Sequence, residues 1–334
     1  MAVHRPEPAP PTAPADTPPL PVSAGPHPTG YREMGYVFAA VGALAFSTKA
    51  VVIKLAYEET IDPETLLALR MAFAMPFYLV IGALSVRDHR REDRPLPNWR
   101  QIAGAAAVGL LGYWFASYMD FLGLVYITAQ FERLILFTYP MFVVIFGALF
   151  FKQPIRAHTV AGIAISYAGL AAIFGEKLTS LGSDVVLGAT FVLLAAIAFA
   201  LYQLVAKPLI QVIGPRLFTC IAMSGAAAGA FIQFFLTQPA SALIVSPLMI
   251  GYAIMLAVGA TVLPSFFLNA ALHRISAQAN ATIGTLSPVM TIVLAVLILG
   301  ETLTTVDVIG TALVLAGVGW FTFADQRAKR DGTS

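Results

Sequence analysis

The chain has 334 residues, 58% of them hydrophobic and 11% charged, where a soluble domain carries roughly 25% charged residues; that balance excludes an ordinary soluble globule. The formal net charge is only +2 and no stretch interleaves basic with aromatic residues, so no nucleic-acid partner is expected. The single cysteine, Cys220, lies inside an apolar run, which excludes a disulfide framework and a cysteine metal cluster.

Residues 1–35 hold ten prolines and no continuous apolar run, too little apolar surface to order a segment and no h-region for a signal peptide. They are expected to form a disordered cytoplasmic tail, with Met34 as an alternative start. Beyond the tail, a helix crossing the hydrocarbon core needs about 20 apolar residues. Ten stretches qualify, at 36–56, 65–85, 101–120, 126–150, 158–175, 186–206, 216–237, 248–270, 277–299 and 304–324. Helix is the expected state, because backbone exposed to lipid must satisfy its own hydrogen bonds and the strict alternation of a membrane barrel is missing. A short cytoplasmic tail is expected at 325–334.

Lys and Arg in the loops give the orientation. Fifteen of them, including Arg87, Arg90, Arg91, Arg94 and Arg100 after the second span, fall in the tails and the even-numbered loops, against Lys177 alone in the odd-numbered ones. Glu58, Glu59, Asp62, Glu64, Asp120, Glu176, Asp184 and Glu301 are counted with the odd loops. The asymmetry predicts a multi-pass protein of the cell inner membrane with an even number of spans and both termini cytoplasmic. Membrane lipid is its expected surroundings.

The two halves repeat. Gln130 and Gln278, Pro140 and Pro288, Gly162 and Gly310, Gly169 and Gly317, and Ser117 and Ser265 are each 148 residues apart. Ala45, Phe46, Val52 and Lys54 match Ala198, Phe199, Val205 and Lys207 at an offset of 153. Five spans at 36–175 therefore recur at 186–324. An odd number of spans per copy turns the second copy upside down, an arrangement used by carriers that bind solute near the midplane between their halves.

The segment from Tyr126 to Pro140, reading YITAQFERLILFTYP, and the Lys152–Gln153 exit that follows it resemble the EamA-type branch of the drug/metabolite transporter superfamily. That resemblance implies an all-α membrane fold of ten helices, in which spans one to four and six to nine surround a central cavity. Spans five and ten would pack peripherally and mediate association, as in a homodimer. It also implies export of amino acids, metabolites or toxic compounds, or exchange of sugar phosphates or nucleotide sugars.

Charges inside spans are costly and mark function by default. Lys49, Arg70, Glu132 and Arg133 lie at one level, about 8–12 Å below the outer boundary at 1.5 Å per residue. Lys54 is close enough to that boundary to snorkel. One reading pairs Glu132 with Arg70 or Lys49 as a structural ion pair and sends Arg133 to the interface. The other lines a cavity with a net charge of about +2, suited to a carboxylate or phosphate on the solute, with Glu132 as a counter-ion or a proton-coupling group. Trp114, Ser117 and Tyr118 share a helix face and form either a cavity wall or packing. Tyr202, Gln203, Ser265, Asn269, Gln278 and Asn280 are the neutral polar counterparts in the second half. Pro140 and Pro288 are paired hinges or tolerated kinks, and the matched glycines serve close helix packing or dimerisation.

No HExxH, nucleophile elbow, P-loop or paired-carboxylate metal motif occurs, so neither a metal nor a cofactor is expected. His89, His158 and His273 are expected in or beside cytoplasmic loops. The function expected is a secondary transporter, exporting a small polar solute such as an amino acid or organic anion by alternating access. Its alternatives are a membrane scaffold or sensor and, third, an enzyme acting on lipid-linked substrates.

Overall fold

The structure, a computed structural model, describes the backbone at residues 31–151, 157–284 and 286–331 and most of the side chains along it. Residues 1–30 of the expected tail, with Lys152 and Arg156, lie outside the described residues. Every regular element among those described is helical. Among the described residues, eight helices are long and apolar enough to cross a membrane: α1 (Tyr31–Glu58), α2 (Pro63–Arg91), α3 (Trp99–Tyr126), α4 (Ala129–Phe150), α5 (Val160–Thr179), α6 (Asp184–Ile213), α7 (Pro215–Thr237) and α8 (Pro247–Arg274). Two shorter apolar helices follow, α9 (Ser287–Leu299) and α10 (Thr305–Trp320). A short helix, Ala277–Ile283, leads into α9, and the backbone of α10 stays helical to Asp331.

Local chemistry sets the ends of the helices. Asp62 accepts the Thr65 N–H at 2.7 Å ahead of Pro63, and His89, Arg90 and Arg91 occupy the last turn of α2. A carboxylate thus faces the positive end of the helix dipole and cations the negative end. Asn98 and Gln101 form a reciprocal capping box at the start of α3. Gly214, at φ +84°, turns the chain between α6 and Pro215, the first residue of α7; an L side chain there would be strained.

Several boundaries differ from the sequence expectation. α1 begins at Tyr31, inside the expected tail, because the Tyr31 hydroxyl meets His273 Nδ1 at 2.7 Å and Arg274 stacks on the Tyr31 and Phe38 rings. His273 is thus part of a contact between α1 and α8. His89 lies in the last helical turn, with Nδ1 2.8 Å from the Ser85 carbonyl; the His158 side chain lies outside the described residues. Lys207, assigned to a loop by its charge, sits within α6. It donates to the carbonyls of Leu272 and Ile275 at 2.8 and 2.7 Å, where α8 ends, so its charge serves a helix C-terminus.

The repeat has a backbone counterpart. α3 widens into a π-helical turn at Leu110–Phe115 and α8 does so at Val258–Val262, starting points 148 residues apart. Ile127 and Ile275 end these two helices in nearly identical extended conformations, at φ −125° and ψ 164° and at φ −125° and ψ 167°. Thr128 and Ser276 then cap the next helix with their hydroxyls, accepting from Phe131 and Ala279 at 3.3 and 3.1 Å.

α1 packs on α8, α2 on α7, α3 on α6 and α5 on α10, while α4 packs chiefly on α6 and α9 chiefly on α1. Exchanging the first five helices for the last five maps this set of pairs onto itself. The glycine stripes are consumed between α5 and α10. A Cβ on Gly169 would stand 2.6 Å from the Gly310 carbonyl oxygen, and the Ser166 hydroxyl donates to the Val314 carbonyl at 3.1 Å. Small residues let these two backbones touch, so that face is buried within one chain and cannot also join two.

Pro140 and Pro288 do not kink continuous helices. α4 is two helices end to end, Ala129–Leu136 and Tyr139–Phe151, and Pro288 lies in the first turn of the helix Leu286–Leu299. Each proline sits where a helix begins, the position at which its missing N–H costs least.

Candidate functional site

A cavity of about 100 Å³ lies among α1, α3, α4, α6, α8 and the segment leading into α9. Its lining includes the ionic residues Lys49, Asp120 and Arg133, the hydroxyl-bearing Tyr113, Ser117 and Tyr139, and the neutral polar Asn280 and Ser287. Lys49 owes its place to a turn in α1: the helix is interrupted at Thr48, and Lys49 opens the segment Lys49–Glu58. The Thr291 hydroxyl donates to the Ser47 carbonyl at 2.8 Å, holding α9 against that break.

The charges combine differently from the sequence expectation. Lys49 Nζ lies 2.6 Å from an Asp120 carboxylate oxygen, with only 7% and 1% of the two side chains exposed. Asp120, counted from sequence with the outer loops, is therefore inside the bundle. Tyr113, Ala116, Ser117 and Asp120 recur at helical spacing along α3, and all four line the cavity. That periodicity, continued one turn further, was the available signal for Asp120.

Arg133 is buried and does not reach the surface. It donates through Nη2 to the Phe46 carbonyl at 3.2 Å, while its Nε stands 3.7 Å from Glu132. Glu132 is fully enclosed and lies beside the Asp120 carboxyl group. Neither Glu132 oxygen, nor Arg133 Nε, has a hydrogen-bond partner among the described residues. Glu132 thus pairs with neither Arg70 nor Lys49. Arg70 stacks over the Phe121 ring at 5.0 Å, off the cavity, and its Nε and Nη2 find no hydrogen-bond partner among the described residues. With Asp120 counted and Arg70 off the cavity, the net charge at the cavity falls from the expected +2 to zero, Lys49 and Arg133 standing against Asp120 and Glu132.

Ordinary helical spacing determines which aromatic residues of α3 face the cavity. Tyr113 and Ser117, four apart, share the cavity face, and the next residue on from each points about 100° away. Trp114 accordingly turns to α7, donating to the Gln233 side-chain oxygen at 2.7 Å. Tyr118 turns to α2 and donates to Glu64 at 2.6 Å.

The neutral residues of the second half divide between cavity and core. Asn280 lines the cavity and donates to the Gln203 side-chain oxygen at 3.2 Å, so Gln203 supports it from behind. Tyr202 and Asn269 are completely buried in a network. The Tyr202 hydroxyl donates to Tyr113 at 3.0 Å, and Asn269 donates to Thr219 at 2.8 Å and to Tyr113 at 3.3 Å. Ser265 meets the Tyr78 hydroxyl at 2.8 Å, away from the cavity. The Gln278 side chain lies outside the described residues. Sequence reasoning missed Tyr113 and Tyr139; Tyr113 couples the cavity wall to the Tyr202–Asn269 network.

At the acidic end of the bundle, Glu301 bridges from the connection between α9 and α10 to α4. Its two oxygens accept the N–H groups of Ala129 and Gln130 at 2.8 and 3.2 Å. A carboxylate on the unpaired N–H groups of a helix start is favoured by hydrogen bonding and by the helix dipole together.

A bundle of long apolar helices enclosing a small, partly ionic cavity is the architecture of a multi-pass membrane protein that handles solutes. The sequence matches the EamA-like transporter family over residues 33–175 and again over 186–323, and the chain belongs to that family. It is 29% identical over 291 residues to an uncharacterized transporter of Bacillus subtilis, YcbK, covering 83% of this chain and 88% of the relative. An uncharacterized transporter of Clostridium kluyveri is 24% identical, covering 85% of this chain and 91% of its own length. One from Archaeoglobus fulgidus is 26% identical over 49% of this chain and 54% of its own. A solved crystal structure shares the fold with a TM-score of 0.63 at 18% identity, covering 89% of this chain and 99% of its own. Family and relatives make this a transporter rather than an enzyme.

Proposed function

We propose that the protein is a secondary transporter that exports a small polar solute bearing a carboxylate or similar anionic group, such as an amino acid or organic anion. The observation carrying this reading is the single cavity lined by Lys49, Asp120 and Arg133 together with Asn280 and Ser287. A solute anion competes with Asp120 for Lys49 and uses the donor capacity of Arg133, while its neutral polar groups meet Asn280 and Ser287. Glu132, enclosed beside Asp120, is the proton-coupling group: changing its charge changes how firmly Asp120 holds Lys49, which links proton movement to solute binding.

Ten spanning helices in two inverted repeats, 36–175 and 186–324, support alternating access around this cavity. What favours the arrangement is the set of helix pairs that survives exchange of the halves, together with the matched π-helical turns of α3 and α8. Pro140, just after the break at Phe137–Thr138, and Pro288, in the first turn of its helix, are the paired hinge positions. The excess of Lys and Arg at one end of the bundle favours insertion in the inner membrane with both termini cytoplasmic.

The test is flux. Protein reconstituted in liposomes is screened with radiolabelled amino acids, organic acids and nucleosides. Saturable movement of an anionic or zwitterionic solute is expected, abolished by Lys49→Gln. Lack of flux for every class, or transport confined to organic cations, overturns the reading.

A further inference from the structure

A second recess lies apart from the central cavity, on the outside of the bundle between α2, α3 and α7. It is a groove of about 370 Å³ whose walls include Gly82, Ala83, Val86, Ile102, Ala106 and Ile221. Small residues on α2 and α3 make it. Gly82 lets α2 close on Cys220, and Gly225 lets α7 close on Ala106; outside these contacts the short side chains of Ala83 and Ala106 leave an open groove. Ala83 and Ile102 are exposed on its rim, so the groove opens sideways, toward the hydrocarbon in a membrane.

Its basic end has a distinct charge. Along α2, residues four apart share a face, so Arg87 continues the row of Ala83 and Arg90 that of Val86, one turn beyond the groove. Arg216 opens α7 four residues before Cys220, which also lines the groove. The acids nearby offset only part of this charge. Arg94 pairs with Glu92 at 2.7 Å and Arg216 with Asp88 at 3.4 Å. Arg87, Arg90 and Arg91 are exposed and make neither an ion pair nor a hydrogen bond among the described residues. Trp99, 73% exposed at the start of α3 with Arg100 stacked on its ring, marks the same level. Exposed tryptophan at a helix end belongs at the headgroup boundary of a bilayer. An apolar slot therefore runs into the hydrocarbon region directly beneath a set of unpaired guanidinium groups.

We infer that this groove is a binding site for an anionic phospholipid. One acyl chain lies in the slot between α2, α3 and α7, and the phosphate meets Arg87 and Arg90. Basic clusters beside intramembrane recesses are suited to such headgroups, and the slot supplies a chain contact that a flat basic surface lacks. The lipid bridges the first half of the chain, through α2 and α3, to the second, through α7. The inference is independent of which solute the central cavity takes.

Purified full-length protein in detergent, incubated with phosphatidylglycerol or phosphatidylcholine of identical chains, tests it by native mass spectrometry. Phosphatidylglycerol is expected to be retained preferentially. Arg87→Gln with Arg90→Gln is expected to weaken that retention about thirtyfold and to weaken phosphatidylcholine, whose choline cation offsets its phosphate, much less. Ala83→Phe, which fills the slot, should abolish retention although every arginine remains; Ile102→Trp serves on the opposite wall should the first variant not fold. Equal retention of both lipids by the parent protein overturns the inference. So does undiminished phosphatidylglycerol binding in both slot-filling variants, which would reduce the site to surface attraction, and so does full displacement by glycerol 3-phosphate, which would make the ligand a free phosphate.

Discussion

Replacing Asp120 by Asn removes the counter-ion of Lys49 and nothing else of similar size. At the observed 2.6 Å separation, and with an effective dielectric constant of about 20, the gross attraction is about 6 kcal/mol. Much of that offsets the desolvation of two buried charges, so the intact pair contributes little relative to neutral residues of the same shape. Breaking it is another matter: Asp120→Asn or Lys49→Gln alone strands a charge beneath the surface, at about 3–5 kcal/mol each. The double variant strands neither and is expected to recover most of the loss. A double-mutant cycle on unfolding in mixed detergent micelles reads this as a large coupling energy. Losses below about 1 kcal/mol for each single change, adding simply in the double, would refute the claim that these charges form a buried pair.

The remaining predictions concern coupling, caps and packing. Glu132→Gln is expected to flatten the pH dependence of solute flux in proteoliposomes while the protein still folds and binds solute; an unchanged rate and pH profile would remove Glu132 from any coupling role. Glu301→Ala frees the N–H groups of Ala129 and Gln130 and is expected to lower stability by about 0.5–2 kcal/mol, read from thermal melting. Gly310→Val forces α10 away from Gly169 and Ile173 on α5 and should cost about 1–3 kcal/mol; melting at the parent temperature would show that the two helices pack less closely than described. Deleting residues 1–30 is expected to leave flux unchanged, since those residues have too few apolar groups to contribute a packed element.

The apolar runs and the repeat were legible because they are one-dimensional properties. A span is a length of apolar sequence, and a duplication is a constant offset, so the matched turns at Leu110 and Val258 follow the same 148-residue spacing as Pro140 and Pro288. Buried charge was legible too, because Lys49, Glu132 and Arg133 stand out against apolar neighbours. How those charges pair was not. Asp120 lies close enough to the end of α3 to be counted with a loop, and its partner is 71 residues away in sequence; only the packing of α1 on α3 brings the two together. The aromatic face of α3 was misread for a related reason. Spacing leaves open where a face is centred, and only the packing of α3 centres it on Tyr113, Ser117 and Asp120, so that Trp114 and Tyr118, one residue on, turn to other helices.

The sequence by itself determined that the chain is a membrane-embedded helical bundle with an internal duplication and ionisable groups in its first half, since hydrocarbon imposes those demands on each segment separately. The tertiary structure alone decided that Lys49 answers to Asp120, that Arg70 lies on Phe121 off the cavity, that the glycine stripes close on each other, and that small residues on three helices leave a groove under the arginines. Each of these depends on which faces meet, and a face acquires its neighbours only when the helices pack.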